Sequence, residues 1–369
     1  MNTKDEIADA LGGQRTGAAP PAIFTQSGTV SQMDACGACW PEANFDAEKM
    51  AELAMQPAEL FGFASARVPF DINIASEIVG CTIDKGRKDS QPAVTGSPWR
   101  TGDITIPEVP DIISPEEFLE GGRCPVIQDA ARIIRSRRED LFLIAGMEDA
   151  LFAASQMVGM ETFLMGSLMD PGRCKCWVDA LVPCMKAYAG ALSEVADDVQ
   201  IIVGASTDIM PPEMFHLLTE DSASKIIGSV RDSFSTVHCC GRTFEVMEDL
   251  ASLGEDGLSV ESFQDYETVI EKTCGKVSLI GGIPPVAHLM LKTPDAIIRD
   301  AWRSSDAGYS IIAPECGVPP YTPNENLLAL ARYREVRRPP ASTAHELHVI
   351  RLPLGFDVLQ HCGEVRPVA

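Results

Sequence analysis

The sequence predicts an α/β fold, a (β/α)8 TIM barrel with an N-terminal extension and a capping excursion. Three observations carry that expectation. The chain has 369 residues, a length that one barrel with insertions fills. Short β-rich apolar runs alternate with amphipathic stretches of helical period, which implies parallel strands joined by crossover helices. The G-x-G-x-x-G turn of the rival doubly wound fold follows none of those runs.

Taken in order, residues 4–11 read as a short helix stopped by Gly12-Gly13 and followed by a Gly/Pro connector, so residues 1–45 form a lead-in. The barrel is expected over residues 46–338. Its β-rich runs are 66–70, 141–146, 200–204, 235–238, 257–260, 276–281 and 309–313. Helix-period segments lie between several of them, among them 222–233, 243–253 and 294–307. Residues 84–120, rich in Pro, Gly, Asp and Arg, read as a long excursion capping the barrel. From Pro339-Pro340 onward the periodicity is lost, leaving 339–369 as a tail of undefined fold.

The composition is 45% apolar and 22% charged, that of a globular protein with a real core. Thirty Lys and Arg against 53 Asp and Glu leave a formal charge of −23, which disfavours nucleic acid and anionic membrane surfaces as partners. No apolar stretch approaches the roughly 20 residues needed to cross a bilayer. The start, Met1-Asn2-Thr3-Lys4-Asp5-Glu6, carries acids where a signal peptide has basic and apolar residues, so the expected location is cytoplasmic. In that setting the 12 cysteines are read as reduced thiols and metal ligands, not as a disulfide framework.

The most informative stretch is Thr236-Val237-His238-Cys239-Cys240-Gly241, an apolar run ending in His-x-Cys. Its counterpart is Cys316, in Ile311-Ile312-Ala313-Pro314-Glu315-Cys316-Gly317. Both sets leave the C-terminal ends of expected strands, which in a barrel share one rim. Strand alternation sends His238 and Cys240 to one side and Cys239 to the other. One imidazole and two thiolates suit Zn²⁺, and three protein ligands with an open fourth position is the catalytic arrangement. Spacing alone leaves this metal site and a set of ordinary buried side chains both open. Cys36-Gly37-Ala38-Cys39 has the spacing of a redox pair or half a zinc site but lacks a second C-x-x-C. Cys174-Lys175-Cys176 begins a helix and reads as packing.

Several segments occur together in order: Thr25-Gln26-Ser27-Gly28-Thr29-Val30, Trp40-Pro41-Glu42-Ala43, Arg67-Val68-Pro69-Phe70, Gly80-Cys81, Lys88-Asp89-Ser90-Gln91-Pro92-Ala93-Val94-Thr95, Gly146-Met147-Glu148, His238-x-Cys240-Gly241, Gly257-Leu258-Ser259-Val260-Glu261 and Ala313-Pro314-Glu315-Cys316-Gly317-Val318-Pro319-Pro320. With them the chain resembles the methylcobamide:coenzyme M methyltransferases of the uroporphyrinogen decarboxylase superfamily, over about residues 3–335. The resemblance implies a (β/α)8 barrel that binds Zn²⁺ through His238, Cys240 and Cys316. It implies transfer of a methyl group from a methylcobamide, supplied by a partner corrinoid protein, to the thiol of coenzyme M. The chain has no Asp-x-His-x-x-Gly run of the kind that ligates a corrinoid, so the donor is expected on a partner.

Glu148 and Glu261 follow expected strands at the same rim, where either can fill the fourth metal position or accept the thiol proton; Glu261 is the favoured one. Arg67, at the end of the first run, is the candidate for an anionic group such as a sulfonate, with a structural salt bridge as the other reading. The chain departs from relatives at Ile202-Val203, Gly281-Gly282 and Glu315, all in the expected substrate region. Alternatives therefore stay open: a related corrinoid-dependent enzyme that demethylates a small substrate or uses another acceptor, and a non-catalytic module binding a corrinoid protein. Decarboxylase activity is disfavoured, because the Arg-rich N-terminal substrate motif is missing.

Overall fold

A computed structural model describes residues 3–261 and 265–339. Its strands are β1 (Ser65–Val68), β2 (Thr82–Asp84), β3 (Ala93–Gly96), β4 (Phe142–Glu148), β5 (Asp198–Ile202), β6 (Phe234–Cys239), β7 (Gly257–Val260), β8 (Ser278–Ile283) and β9 (Ile311–Pro314). Each β-rich run of the sequence is a strand, displaced by no more than two residues at either end. Seven strands form one parallel sheet in the order β1-β4-β5-β6-β7-β8-β9. That order never reverses, so the sheet has no switch point of the kind a doubly wound fold requires.

The sheet curls. Side chains alternate along each strand, and Leu143, Ala145 and Met147 of β4 join the large core under the outer helices. Phe142 and Ile144 face the other way and share a second core with Ile280 of β8 and Ile311 and Ala313 of β9. In a flat sheet β4 and β8 would stand roughly 20 Å apart, four strand spacings, so one shared core requires a concave face. The helix Lys4–Leu11, capped by Thr3 and Glu6, buries Ile7, Ala10 and Leu11 in that same core. The Ser278 hydroxyl donates to the Ala10 and Leu11 carbonyls at 2.8 and 3.0 Å and so satisfies the helix end.

An eighth strand is not formed among the described residues. At its place Pro21 makes an isolated parallel bridge to Ile312, with Ala22 N–H donating to the Ile312 carbonyl and Ile312 N–H to that of Pro20, both at 3.0 Å. On the other side Ile23 N–H donates to Ser65 Oγ at 2.9 Å. Residues 20–23 thus lie between the two edge strands, and the paired prolines, without N–H groups, keep them from a regular ladder.

Two helices are shorter than their sequence period suggests. The segment 222–233 is helical only within Asp221–Ile227, which stops at Gly228, and 243–253 only within Met247–Leu250. In the second case the start is held elsewhere: Thr207 donates its N–H to the Arg242 carbonyl and its hydroxyl to Glu245, each at 2.8 Å. The helices Lys4–Leu11 and Pro294–Ala307 stand as expected.

The excursion holds the β2–β3 hairpin and the helix Pro115–Glu120. Much of it lies against the outer helix Pro171–Ser193, where Trp99 meets Trp177 edge-on and Trp177 Nε1 donates to the Pro107 carbonyl at 2.9 Å. Its hairpin turn reaches the rim, with Lys88 paired to Asp34 and the Tyr321 hydroxyl 2.9 Å from Asp89. Among the described residues no helix is long and apolar enough to cross a membrane. The tail 339–369 lies outside the described residues beyond Pro339.

Candidate metal centre

β6 carries the first two donors. Val237 and Cys239 belong to the outer core, which leaves His238 and then Cys240 for the concave side, as alternation requires. Gly241 turns the chain immediately afterwards with φ of 74°; a Cβ there would stand 2.5 Å from Ser206 Oγ, so both the turn and the close approach call for glycine.

Cys316 sits on the loop after β9, braced by the N-terminal segment. Thr25 Oγ1 donates to the Cys316 carbonyl at 2.7 Å, Val318 N–H to the Gln26 carbonyl at 2.8 Å, and Val30 N–H to the Pro320 carbonyl at 2.8 Å. Two motifs at opposite ends of the sequence therefore form one support for a single cysteine.

The three donors converge. His238 Nε2 is 3.0 Å from Cys240 Sγ, Cys240 Sγ is 3.4 Å from Cys316 Sγ, and all three atoms lie within 4.8 Å of one another. Ligand atoms of a tetrahedral zinc stand roughly 3.5–4 Å apart, so this donor set suits that ion once the side chains spread by a few tenths of an ångström. On its other side His238 Nδ1 is 3.0 Å from Ser259 Oγ of β7, which fixes the ring with Nε2 toward the sulfurs. His238 is buried, Cys316 half-buried and Cys240 exposed, so the group opens to solvent on the Cys240 side. The Cys316 thiol is held well below the ordinary range, first by the hydrogen bond from Cys240 and then by His238, against the effect of burial. Among the described residues this is the one His, Cys and carboxylate group so arranged.

Glu261, directly after β7, is brought beside this triad. Its carboxyl accepts the Gly241 N–H and lies within electrostatic range of Cys316 and His238; burial first, then Cys316, pushes its pKa up. Glu148 ends β4 in different company. It is fully buried, its Oε1 accepts the Ala75 N–H at 2.7 Å, its Oε2 has no partner among the described residues, and burial pushes its pKa to about 7, with Asp71 and Arg123 as its charged neighbours. Arg67 is buried on β1 over Gly146, where a Cβ would stand 2.0 Å from Nη2. Its Nη1 donates to the Pro69 carbonyl, its Nε and Nη2 have no partner among the described residues, and burial lowers its pKa to about 10.

Gln200, which no sequence motif singles out, is fully buried on β5, and its side-chain nitrogen and oxygen both lack partners among the described residues. The available signal was an acid and an amide, Asp198 and Gln200, alternating with Val199 and Ile201 in one run. Cys36 and Cys39 remain half-buried free thiols, each near the Met33 carbonyl at 3.9 and 3.6 Å. Cys174 packs in the core of the helix Pro171–Ser193, whereas Cys176 is exposed.

The profile of the family described as Uroporphyrinogen decarboxylase (URO-D) matches residues 2–336. The chain belongs to that family. Among URO-D relatives it is 32% identical to the methylcobamide:CoM methyltransferase MtaA of Methanosarcina barkeri (strain Fusaro), over 90% of this chain and 97% of that protein. It is 29% identical to the methylcobamide:CoM methyltransferase MtbA of Methanosarcina acetivorans, over 88% of this chain and 95% of that one. The solved structure of a methyltransferase from Methanosarcina mazei superposes with a TM-score of 0.83 at 32% identity, covering 91% of this chain and 99% of the other. Within the URO-D family, then, this is a methyltransferase-like enzyme, and the family resemblance read from its motifs holds.

Proposed function

We propose that the chain is a zinc-dependent methyltransferase that moves a methyl group from a methylated corrinoid protein to a thiol, coenzyme M above all. The observation that carries this reading is the convergence of His238 Nε2 with the Cys240 and Cys316 sulfurs, within 4.8 Å, beside an open side. The names of its MtaA and MtbA relatives, methylcobamide:CoM methyltransferases, support the donor and acceptor. The reading takes the curled sheet as a (β/α)8 barrel over residues 46–338, closed by residues 20–23 of the lead-in, in a cytoplasmic protein.

His238, Cys240 and Cys316 would hold the ion, and bound Zn²⁺ supplies a position at which a thiol loses its proton near neutral pH. Ser259 keeps the imidazole in one orientation. Glu261, the carboxylate beside the triad, accepts the thiol proton. Arg67 takes up an anionic group of the substrate. A corrinoid carried on another protein must approach from outside, and Cys240 is the exposed member of the triad.

The test is to follow methylcobalamin loss by absorbance with the zinc-loaded protein and 2-mercaptoethanesulfonate. Thiol-dependent demethylation that requires both zinc and protein is the expected result; a zinc-loaded protein inert toward this and every other small thiol overturns the reading. A relative named methylated-thiol–coenzyme M methyltransferase, from Methanosarcina mazei and 27% identical, favours a second reading with a methylated thiol as donor, which the same assay run with methylated thiols separates from the first.

A further inference from the structure

The C-x-x-C motif of the lead-in belongs neither to the triad nor to the strands. Cys36 is the last residue of the helix Val30–Cys36, and Gly37 follows in the left-handed region with φ of 75°, its N–H donating to the Met33 carbonyl at 2.8 Å. The chain then doubles back over the helix end, where Trp40 N–H meets Met33 Sδ at 3.3 Å. Cys39 is thereby brought to the oxygen that Cys36 already faces: the two thiols donate to the Met33 carbonyl at 3.9 and 3.6 Å. Thiols that share one acceptor are neighbours, and side-chain rotation is what brings them to bonding distance. Both are half-buried, while Asp34, Ala35 and Gly37 around them are exposed, so a small molecule can reach the pair.

The two thiols have unlike surroundings. Cys39 has a cation within electrostatic range, Lys88, whose ammonium pairs with Asp34, and attacking cysteines sit in partly exposed, electropositive places of this kind. Cys36 ends its helix at the negative pole; burial pushes its thiol up, and the nearby Glu52 adds to that. A reduced pair whose Cys36 thiolate nothing stabilises holds little advantage over the disulfide. Outside this pair and the triad, the free cysteines among the described residues are buried, except Cys176 and Cys274, which are exposed.

We propose that Cys36 and Cys39 are a redox-reactive dithiol that closes to a disulfide by exchange with a low-molecular-weight disulfide. In the first step the Cys39 thiolate attacks one sulfur of the small disulfide; a mixed disulfide forms, and the released thiolate takes up the proton that Cys39 gave. In the second, Cys36 loses its proton and attacks the Cys39 sulfur, forming the Cys36–Cys39 bond and releasing the second small thiol. Two electrons pass from the dithiol to the small disulfide, and excess small thiol runs the sequence backwards. The pair thus follows the ratio of thiol to disulfide around the protein, and it does so whether or not the triad transfers methyl groups.

The test treats the full chain, loaded with zinc, with 2-hydroxyethyl disulfide and maps its peptides by mass spectrometry, which keeps any crosslink between Cys240 and Cys316 distinct. In wild type a Cys36–Cys39 disulfide is expected that reopens on addition of 2-mercaptoethanol, while Cys176 and Cys274 give mixed adducts that mark the background reactivity. In Cys36→Ser the reaction stops at a mixed disulfide on Cys39. In Cys39→Ser the adduct on Cys36 forms at least tenfold more slowly than that one. Absence of the Cys36–Cys39 crosslink in wild type, under conditions that modify Cys176 and Cys274, overturns the dithiol, and equal rates in the two variants overturn the order of attack. Should a variant fail to fold, the wild-type map decides. A second zinc per chain that is lost when both cysteines are changed to Ser, with the pair inert to the probe, assigns it to a metal and overturns the dithiol as well.

Discussion

The concave face has two polar regions that treat their donors differently. At the triad every donor atom has a neighbour: Ser259 holds His238 Nδ1, Nε2 faces Cys240, and the two sulfurs face each other. One layer down, Arg67 and Gln200 have hydrogen-bonding atoms with none among the described residues. The triad is organised before anything binds, through hydrogen bonds among its own members, as a metal site must be if the fold is to set its geometry. The layer below is left incomplete, with buried hydrogen-bonding atoms of Arg67 and Gln200 that no described residue satisfies.

The largest expected effect breaks the first region. Cys316→Ala removes one of the three proposed ligands, so metal analysis of the purified variant should find zinc lost, and methyl transfer with it, while circular dichroism and the melting transition stay close to wild type. Retained zinc and activity would remove the triad from the account. Gln200→Met comes next and acts on the second region: it removes an amide whose two polar atoms are buried without partners among the described residues, so denaturant unfolding should find it more stable than wild type by about 1–3 kcal/mol with the metal retained, and a less stable variant would contradict the unpaired state.

The smallest effect sharpens the distinction between groups that titrate and groups that do not. Glu148 has a partner for one oxygen only, and its pKa stands at about 7 against an ordinary 4.5. The folded state therefore binds this proton more tightly than the unfolded chain, and the associated stability, present below pH 4.5, is lost as pH rises through 7. The shift corresponds to at most about 3 kcal/mol. Glu148→Gln should match wild type in denaturant unfolding near pH 5 and exceed its stability at pH 8. Asp149 and Glu255, raised by burial to about 6 and 7, titrate in the same window, so the wild-type-minus-variant difference is the quantity to read. A difference independent of pH would contradict the assignment.

Much of the fold was legible because buried parallel strands are short apolar runs punctuated by Gly, Pro and charge. What lay outside that pattern followed from tertiary contacts. Residues 20–23 fill an edge position through a single bridge that Pro20 and Pro21 keep from becoming a strand. Residues 243–246 have helical periodicity, yet Thr207 holds the segment that precedes the short helix. In the site, His-x-Cys was readable since alternation alone aligns residues two apart. The brace under Cys316 was not, because Val318 and Val30 are held through backbone atoms that any residue carries. Gln200 was hidden for a related reason: one amide in an apolar run gains meaning only when its neighbours leave it unpaired.

If the triad is an open metal centre, its remaining position receives the substrate sulfur. X-ray absorption at the zinc edge, on the zinc-loaded protein with and without 2-mercaptoethanesulfonate, tests it most directly. Two sulfurs are expected in the ligand shell of the free protein and three once the thiol is added. An unchanged sulfur count at saturating thiol would contradict it.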